Sequence, residues 1–218
     1  DKLTSKVVGR PKSGTFRLSD VVGLDTTVHV ANNLSKALQN DESKEIFQLP
    51  EMLIKLMENK WLGDKTGQGF YKKVEKEIMS LDLETLTYRP NRKASFATLE
   101  KTKSIDKPID RFKILVKGED KAGAFYRKNL GAMFAYVSNR IPEIADEIYK
   151  IDDAMKAGFG WENGPFEIWD AIGVAKAIEI MQNEGYQPAA WVNEMIASGS
   201  TSFYTVKNGA TYFYDSAS

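Results

Sequence analysis

Gly14-Thr15-Phe16-Arg17-Leu18-Ser19-Asp20-Val21-Val22-Gly23-Leu24 and Gly164-Pro165-Phe166-Glu167-Ile168-Trp169-Asp170-Ala171-Ile172-Gly173-Val174 write one pattern twice, 150 residues apart. The shared pattern is Gly-x-Phe-x-aliphatic-x-Asp-x-aliphatic-Gly-aliphatic. Four identities and three aliphatic matches in eleven positions point to an internal repeat. The order of later landmarks agrees. Pro50 pairs with Pro188 at an offset of 138, and Phe70-Tyr71 with Phe203-Tyr204 at an offset of 133. The falling offset places about twelve extra residues between the helices of the first copy, and five more before its Phe-Tyr pair.

Around each copy the apolar spacing is helical. Leu24, Val28, Ala31, Leu34 and Leu38 recur at 3 and 4, and Asp20 suits an N-cap or first-turn acid there. Pro50 opens a second helix with Leu53, Leu56, Met57 and Trp61 on its apolar face, stopped by Gly63. Leu130, Met133, Phe134, Val137, Ile141, Ile144 and Ile148 predict a long helix over 124–149, kinked or restarted at Pro142. A short helix over 151–157, closed by Gly158, follows. Another runs from Gly164 to about Asn183, and one more opens at Pro188. The end differs: Phe203 to Val206, Asn208-Gly209, then Thr211 to Tyr214 reads as a β-hairpin on an Asn-Gly turn. Residues 76–118 read as a connector with a helical piece at 95–102 and a strand or docking segment at 112–116. The expected organisation is a first helical repeat over 1–75, that connector, and a second repeat over 119–218. Because no long helix precedes the first copy, residue 1 is expected to fall inside a repeat unit.

Composition narrows the function. Thirty basic and thirty acidic residues give zero net charge, without the basic excess of a nucleic-acid binder or a polybasic membrane patch. No apolar run is long enough to span a bilayer. There is no cysteine, hence no thiolate nucleophile or Cys-based zinc site, and the single histidine excludes a histidine-rich metal site. That leaves His29 as the one imidazole base, mid-helix beside Val28 and Val30, with only Asp25 on its face. The loop Gly63-Asp64-Lys65-Thr66-Gly67-Gln68-Gly69 invites a phosphate reading. It departs from the P-loop, since two glycines follow Lys-Thr and no strand leads in. Gly158-Phe159-Gly160-Trp161-Glu162-Asn163-Gly164 follows a helix and so lacks the context of a dinucleotide fingerprint. Phe159, Trp161, Phe166 and Trp169 fit a core, an interface or an apolar slot.

The stretch from Gly9-Arg10-Pro11 to Gly23-Leu24-Asp25 resembles the Gly-x-Pro-x-Gly-Pro-x-x-Leu-x-Asp-x-x-Gly-Leu-Asp segment of 3-hydroxyacyl-CoA dehydrogenases. Gly63-Asp64-Lys65-Thr66-Gly67-Gln68-Gly69-Phe70-Tyr71 resembles that family's Gly-Arg-Lys-Thr-Gly-x-Gly-Phe-Tyr, and Gly164 to Asp170 its Gly-Pro-Phe-Glu-x-x-Asp variant. The resemblance implies an all-α fold: two tandem copies of the helical 6-phosphogluconate-dehydrogenase-C-terminal-like unit, with a small β-hairpin at the C-terminus. It implies a parent that oxidises 3-hydroxyacyl-CoA with NAD in cytoplasmic fatty-acid β-oxidation. The partners implied are the acyl-CoA substrate, an N-terminal nucleotide-binding domain that holds the NAD and, in multifunctional members, a fused enoyl-CoA hydratase domain. Phe16, Asp20, Lys65 and Thr66 are the residues it places at the substrate cleft. No catalytic, cofactor-binding or metal residue carries over, because the family's histidine context and strand–Gly-x-Gly-x-x-Gly–helix unit are absent here, and Thr15 stands for the usual proline. Two other readings are a non-catalytic helical interaction module using the aromatics of the second copy, and the helical domain of another hydroxy-acid dehydrogenase.

Overall fold

The computed structural model describes residues 1–216. The chain divides into two compact units. Both are mainly helical, with short antiparallel strands.

The first unit comprises Asp1 and Ser13–Ala94. Its helices are α1 (Gly14–Val22), α2 (Leu24–Ala37) and α3 (Glu51–Glu58). Strands β1 (Tyr71–Val74), β2 (Glu77–Leu81) and β3 (Tyr88–Pro90) form an antiparallel sheet in that order. Tyr71 lies opposite Ser80, and Leu81 opposite Tyr88. This sheet falls where the sequence suggests the close of the first repeat and a connector. Its hairpin turns on Glu75 with φ 54°, not on the glycine or asparagine that would announce it. The buried apolar core is small: Leu24, Leu56, Phe70 and Leu81, with Trp61 and Tyr88 packed against it.

The second unit comprises Lys2–Lys12 and the chain from Ser95 onward. It contains α4 (Ala97–Glu100), α5 (Pro108–Leu115), α6 (Lys121–Asn139), α7 (Ile148–Phe159), α8 (Pro165–Ile172), α9 (Val174–Asn183) and α10 (Ala190–Ala197). The antiparallel hairpin of β4 (Tyr204–Lys207) and β5 (Ala210–Phe213) closes it on Asn208 and Gly209, both at positive φ. Trp169, Phe112, Phe134, Phe166 and Phe203 are fully buried. The Trp169 ring stacks on Phe134 at 4.8 Å and meets Phe203 edge-on at 5.0 Å. A large apolar side chain so buried contributes about 1.5–3 kcal/mol, and most such side chains belong to this unit.

Four details differ from the sequence reading. The predicted helix over 124–149 starts earlier, where Asp120 caps it by accepting from Ala122 and Gly123, and it ends at Asn139, before Pro142. Residues 112–115 are helical, because Pro108 at the first turn of α5 sets a helix start. The short helix expected over 151–157 is longer: α7 starts at Ile148, runs through Gly158 and stops at Gly160, whose φ of 63° is left-handed. The helix from Gly164 breaks at Gly173, as its counterpart breaks at Gly23, with φ of 99° and 102°.

Gly164 sits where a Cβ would enter the Asp152 side chain, whereas Gly158 lies in a helix with open space around its Cβ position. Gly164→Ala is expected to lower stability by about 1–3 kcal/mol through overpacking. Gly158→Ala is expected to raise it by roughly 0.5–1 kcal/mol. Thermal unfolding of the two variants checks both signs.

Candidate functional site

In the second unit, Asp170 near the end of α8 turns its carboxylate to the start of β4. Oδ1 accepts from the Phe203 N–H at 2.8 Å and Oδ2 from the Tyr204 N–H at 2.9 Å. Asp152 on α7 does the complementary work. It accepts from the Phe166 and Glu167 N–H groups at the head of α8, at 2.8 and 3.0 Å, and from the Tyr204 hydroxyl at 2.8 Å. Two acids therefore fasten one Phe-Tyr pair and one helix start.

The first unit repeats the arrangement. Asp20 accepts from the Phe70 and Tyr71 N–H groups, both at 2.8 Å. Asp1 accepts from the Phe16 N–H at 2.6 Å, from the Arg17 N–H at 3.2 Å and from the Tyr71 hydroxyl at 2.6 Å. Asp20 thus caps no helix. It stands late in α1 and is almost fully buried, because its partners come from fifty residues away. Gly63 and Gly69 leave room for it, since a Cβ on either would strike Asp20.

Desolvation raises Asp20, Asp152 and the half-buried Asp170 alike. Asp152 and Asp170 are each pushed up to about 6, desolvation outweighing the N–H donors that favour the charged form, and Asp20 shifts in the same direction for the same reason. The Tyr204 hydroxyl is also raised, by burial and the neighbouring Asp152.

Phe16, Asp20, Lys65 and Thr66 all lie in the first unit, the three polar ones with their polar groups already engaged. The Thr66 hydroxyl accepts from the Leu62 N–H at 2.9 Å and lies 3.1 Å from the Gln68 carbonyl, holding the glycine loop closed. Lys65 Nζ donates to Asp25 at 2.6 Å, which holds that exposed carboxyl below its usual range. Arg17 pairs with Asp64 through two bonds of 2.5 and 2.7 Å, another exposed contact of small energy. Phe16, without a polar group, is about one-third exposed. It meets Phe70 edge-on at 4.7 Å and lines a small hollow of about 80 Å³ with Tyr71 and Leu83. On the opposite side of α1 from Phe16, Leu18, Val21 and Val22 fall within about 100° of one another and stand about half exposed, as does Val30 of α2. Leu24 is the buried residue of α2. An apolar face thus points outward from this unit, and it can bind apolar matter or a protein surface. His29 is exposed on α2. Of the second copy's aromatics, Phe166 and Trp169 are core, so they offer no partner surface; Phe159 is exposed.

The sequence reading missed Asp1, Asp152 and the two tyrosine hydroxyls. A signal existed. Asp1 and Asp152, and the left-handed Gly9 and Gly160, match at an offset of 151. One extra residue between Gly9 and Gly14 hides that register from the offset of 150.

A duplicated helical unit closed by an aspartate clasp on a Phe-Tyr pair defines a class, and comparison with known proteins identifies it. The sequence matches the family described as "3-hydroxyacyl-CoA dehydrogenase, C-terminal domain" over residues 1–73 and 129–212, one stretch across each clasp. The chain belongs to this family. It is 43% identical over 215 residues to "Probable 3-hydroxyacyl-CoA dehydrogenase" of Bacillus subtilis, covering 99% of this chain and 27% of that protein. It is 29% identical over 176 residues to "Putative fatty acid oxidation complex trifunctional enzyme" of Rickettsia felis, covering 77% of this chain and 22% of that protein. The chain therefore spans about a quarter of the length of these relatives.

Asp170→Asn turns an amide N–H₂ toward one of the two N–H donors. A loss of about 1–3 kcal/mol is expected. Between about pH 4 and 6 the folded protein keeps a proton on Asp170 that the unfolded chain releases. The wild-type contribution is therefore complete below pH 4 and declines as pH rises through about 6. The stability gap between wild type and Asp170→Asn should narrow by about 1–2 kcal/mol over that range, discounted for screening. Urea unfolding of both proteins across pH 4–7 measures it.

Proposed function

We propose that this chain is the C-terminal substrate and dimerisation-type region of an NAD-dependent 3-hydroxyacyl-CoA dehydrogenase, which oxidises 3-hydroxyacyl-CoA to 3-oxoacyl-CoA in fatty-acid β-oxidation. The observation that carries the reading is the outward apolar face of the first unit: Leu18, Val21 and Val22 are exposed on one side of α1, and Val30 is exposed on α2. A unit with four buried apolar residues in its core leaves such a face open to a larger surface. On this reading the face closes the acyl-CoA cleft against a nucleotide-binding domain carried elsewhere in the parent. The second unit, with its larger core, takes the place of the subunit contact that single-copy members make by dimerising.

NAD itself does not fit the residues present. A dinucleotide site needs parallel strands and a glycine turn feeding a helix N-terminus. Among the described residues both sheets are antiparallel. No step of hydride transfer is assigned to this chain. Its own contribution is to present the apolar face of Leu18, Val21 and Val22 and to exclude water from an acyl chain lying on it. The trifunctional name of one relative supports a parent with further fused activities, and a fatty-acid oxidation role supports a cytoplasmic parent; among the described residues no helix is long and apolar enough to cross a membrane.

The test is NADH formation from 3-hydroxybutyryl-CoA. The chain alone is expected to give none. In the full-length parent, Val21→Asp is expected to lower kcat/KM about tenfold or more, while the melting temperature of the isolated chain stays within about a degree or two, since Val21 is exposed. Turnover by the chain alone, or an unchanged kcat/KM, contradicts the reading.

A further inference from the structure

The second unit holds an opening of about 440 Å³ that the dehydrogenase reading leaves unused. Lys6, Arg10, Lys12 and Arg111 line it, against the carboxylates of Asp106 and Glu162. Four cations face two acids, in a protein whose net charge is zero. Among the described residues, none of the four cations forms an ion pair, in contrast to Lys65 and Arg17 of the first unit.

Each cation is held differently. Arg111 gives its N–H groups to main-chain carbonyls: Ile105 at 2.8 Å, Asp106 at 2.9 Å, Lys6 at 3.1 Å and Val7 at 3.2 Å. It gathers the two walls of the opening and contributes charge with few donors to spare. The Arg10 guanidinium lies over the Trp161 ring at 3.8 Å, and its buried Nε has no hydrogen-bond partner. Desolvation lowers this group to about 10, the direction expected of a cation without a counter-charge. Lys6 and Lys12 are exposed at the rim with free ammonium groups. Gly9 and Gly160, both left-handed, turn the chain sharply on either side, and the Glu162 N–H donates to the Gly9 carbonyl at 2.8 Å to fix their spacing.

We propose that this opening binds a small organic di- or polyphosphate. A single carboxylate would answer one of the four cations. A diphosphate brings several charges and acceptor oxygens to planar and ammonium donors together, the pairing that guanidinium and phosphate geometry favours. The volume admits a phosphorylated group larger than an inorganic ion. The proposal stands apart from the dehydrogenase reading, since all of these residues belong to the second unit and none to the apolar face of α1 and α2.

The probes are inorganic pyrophosphate, ADP and coenzyme A, titrated at 50 mM and 300 mM salt against the 218-residue chain with tryptophan fluorescence and calorimetry as readouts. Micromolar to submillimolar binding is expected at low salt, at least fivefold weaker at high salt. The double variant Lys6→Ala/Lys12→Ala should bind about tenfold or more weakly, with wild-type circular dichroism and melting temperature, since both lysines are exposed and unpaired. Coenzyme A binding tenfold tighter than pyrophosphate identifies the nucleotide handle of a thioester as the source. Equal affinities identify a free polyphosphate. Failure of all three probes to bind below millimolar, or a double variant within twofold of wild type, overturns the proposal.

Discussion

One carboxylate drawn away from solvent that accepts two consecutive main-chain N–H groups organises each half of this protein. Asp20 holds Phe70 and Tyr71, and Asp170 holds Phe203 and Tyr204. The constraint is severe in chemical terms. An acid taken out of water must have its oxygens satisfied, and the residue that satisfies them lies tens of positions away. The second acid of each set, Asp1 or Asp152, then ties the tyrosine hydroxyl to the head of the following helix. Helix start, helix end and the entry to the strand pair are fastened to one dipeptide. The glycines at 14, 63, 69 and 164 are consequences, since a side chain at any of them would occupy the space of an acid or its backbone.

The same clasp is set in two different surroundings. In the second unit it is embedded against Trp169, Phe166, Phe203 and Trp191, whose rings meet one another at 5.0 to 6.3 Å. Its acids are accordingly pushed well above their ordinary range. In the first unit the clasp supports a core of four buried apolar residues, a glycine loop and a three-stranded sheet, while α1 and α2 turn aliphatic side chains outward. One copy has the composition of a self-sufficient core. The other spends its apolar residues on a surface, the division of labour expected when one repeat stabilises and the other meets a partner.

The helical fold and the C-terminal hairpin were legible because they rest on local signals: apolar spacing of 3 and 4, Pro at helix starts, and Asn-Gly between two β-rich runs. The repeat was legible because Asp20 and Asp170, Phe70 and Phe203 kept their identities. What escaped was set by distance or by a shifted register. The role of Asp20 depends on amides fifty residues downstream, so a neighbour-based reading made it a cap. Asp1 and Asp152 escaped because one inserted residue shifts their register. The sheet over 71–90 escaped because its turn uses Glu75 at positive φ, a conformation that sequence preference assigns to glycine or asparagine. The family was readable from motifs, whereas the state of the four residues it points to was not: Asp20 is buried against distant amides, Lys65 and Thr66 are exposed with their polar groups engaged within the unit, and Phe16 meets Phe70 edge-on.

Amide hydrogen exchange resolved to single residues tests the clasp most directly. The Phe70, Tyr71, Phe203 and Tyr204 amides each donate to a carboxylate rather than to a strand or helix neighbour. If the acids close each unit, these four are among the slowest amides of their own unit, exchanging only when that unit unfolds. Exchange of any of them at the rate of an open loop, while the adjoining helices stay protected, would contradict the account.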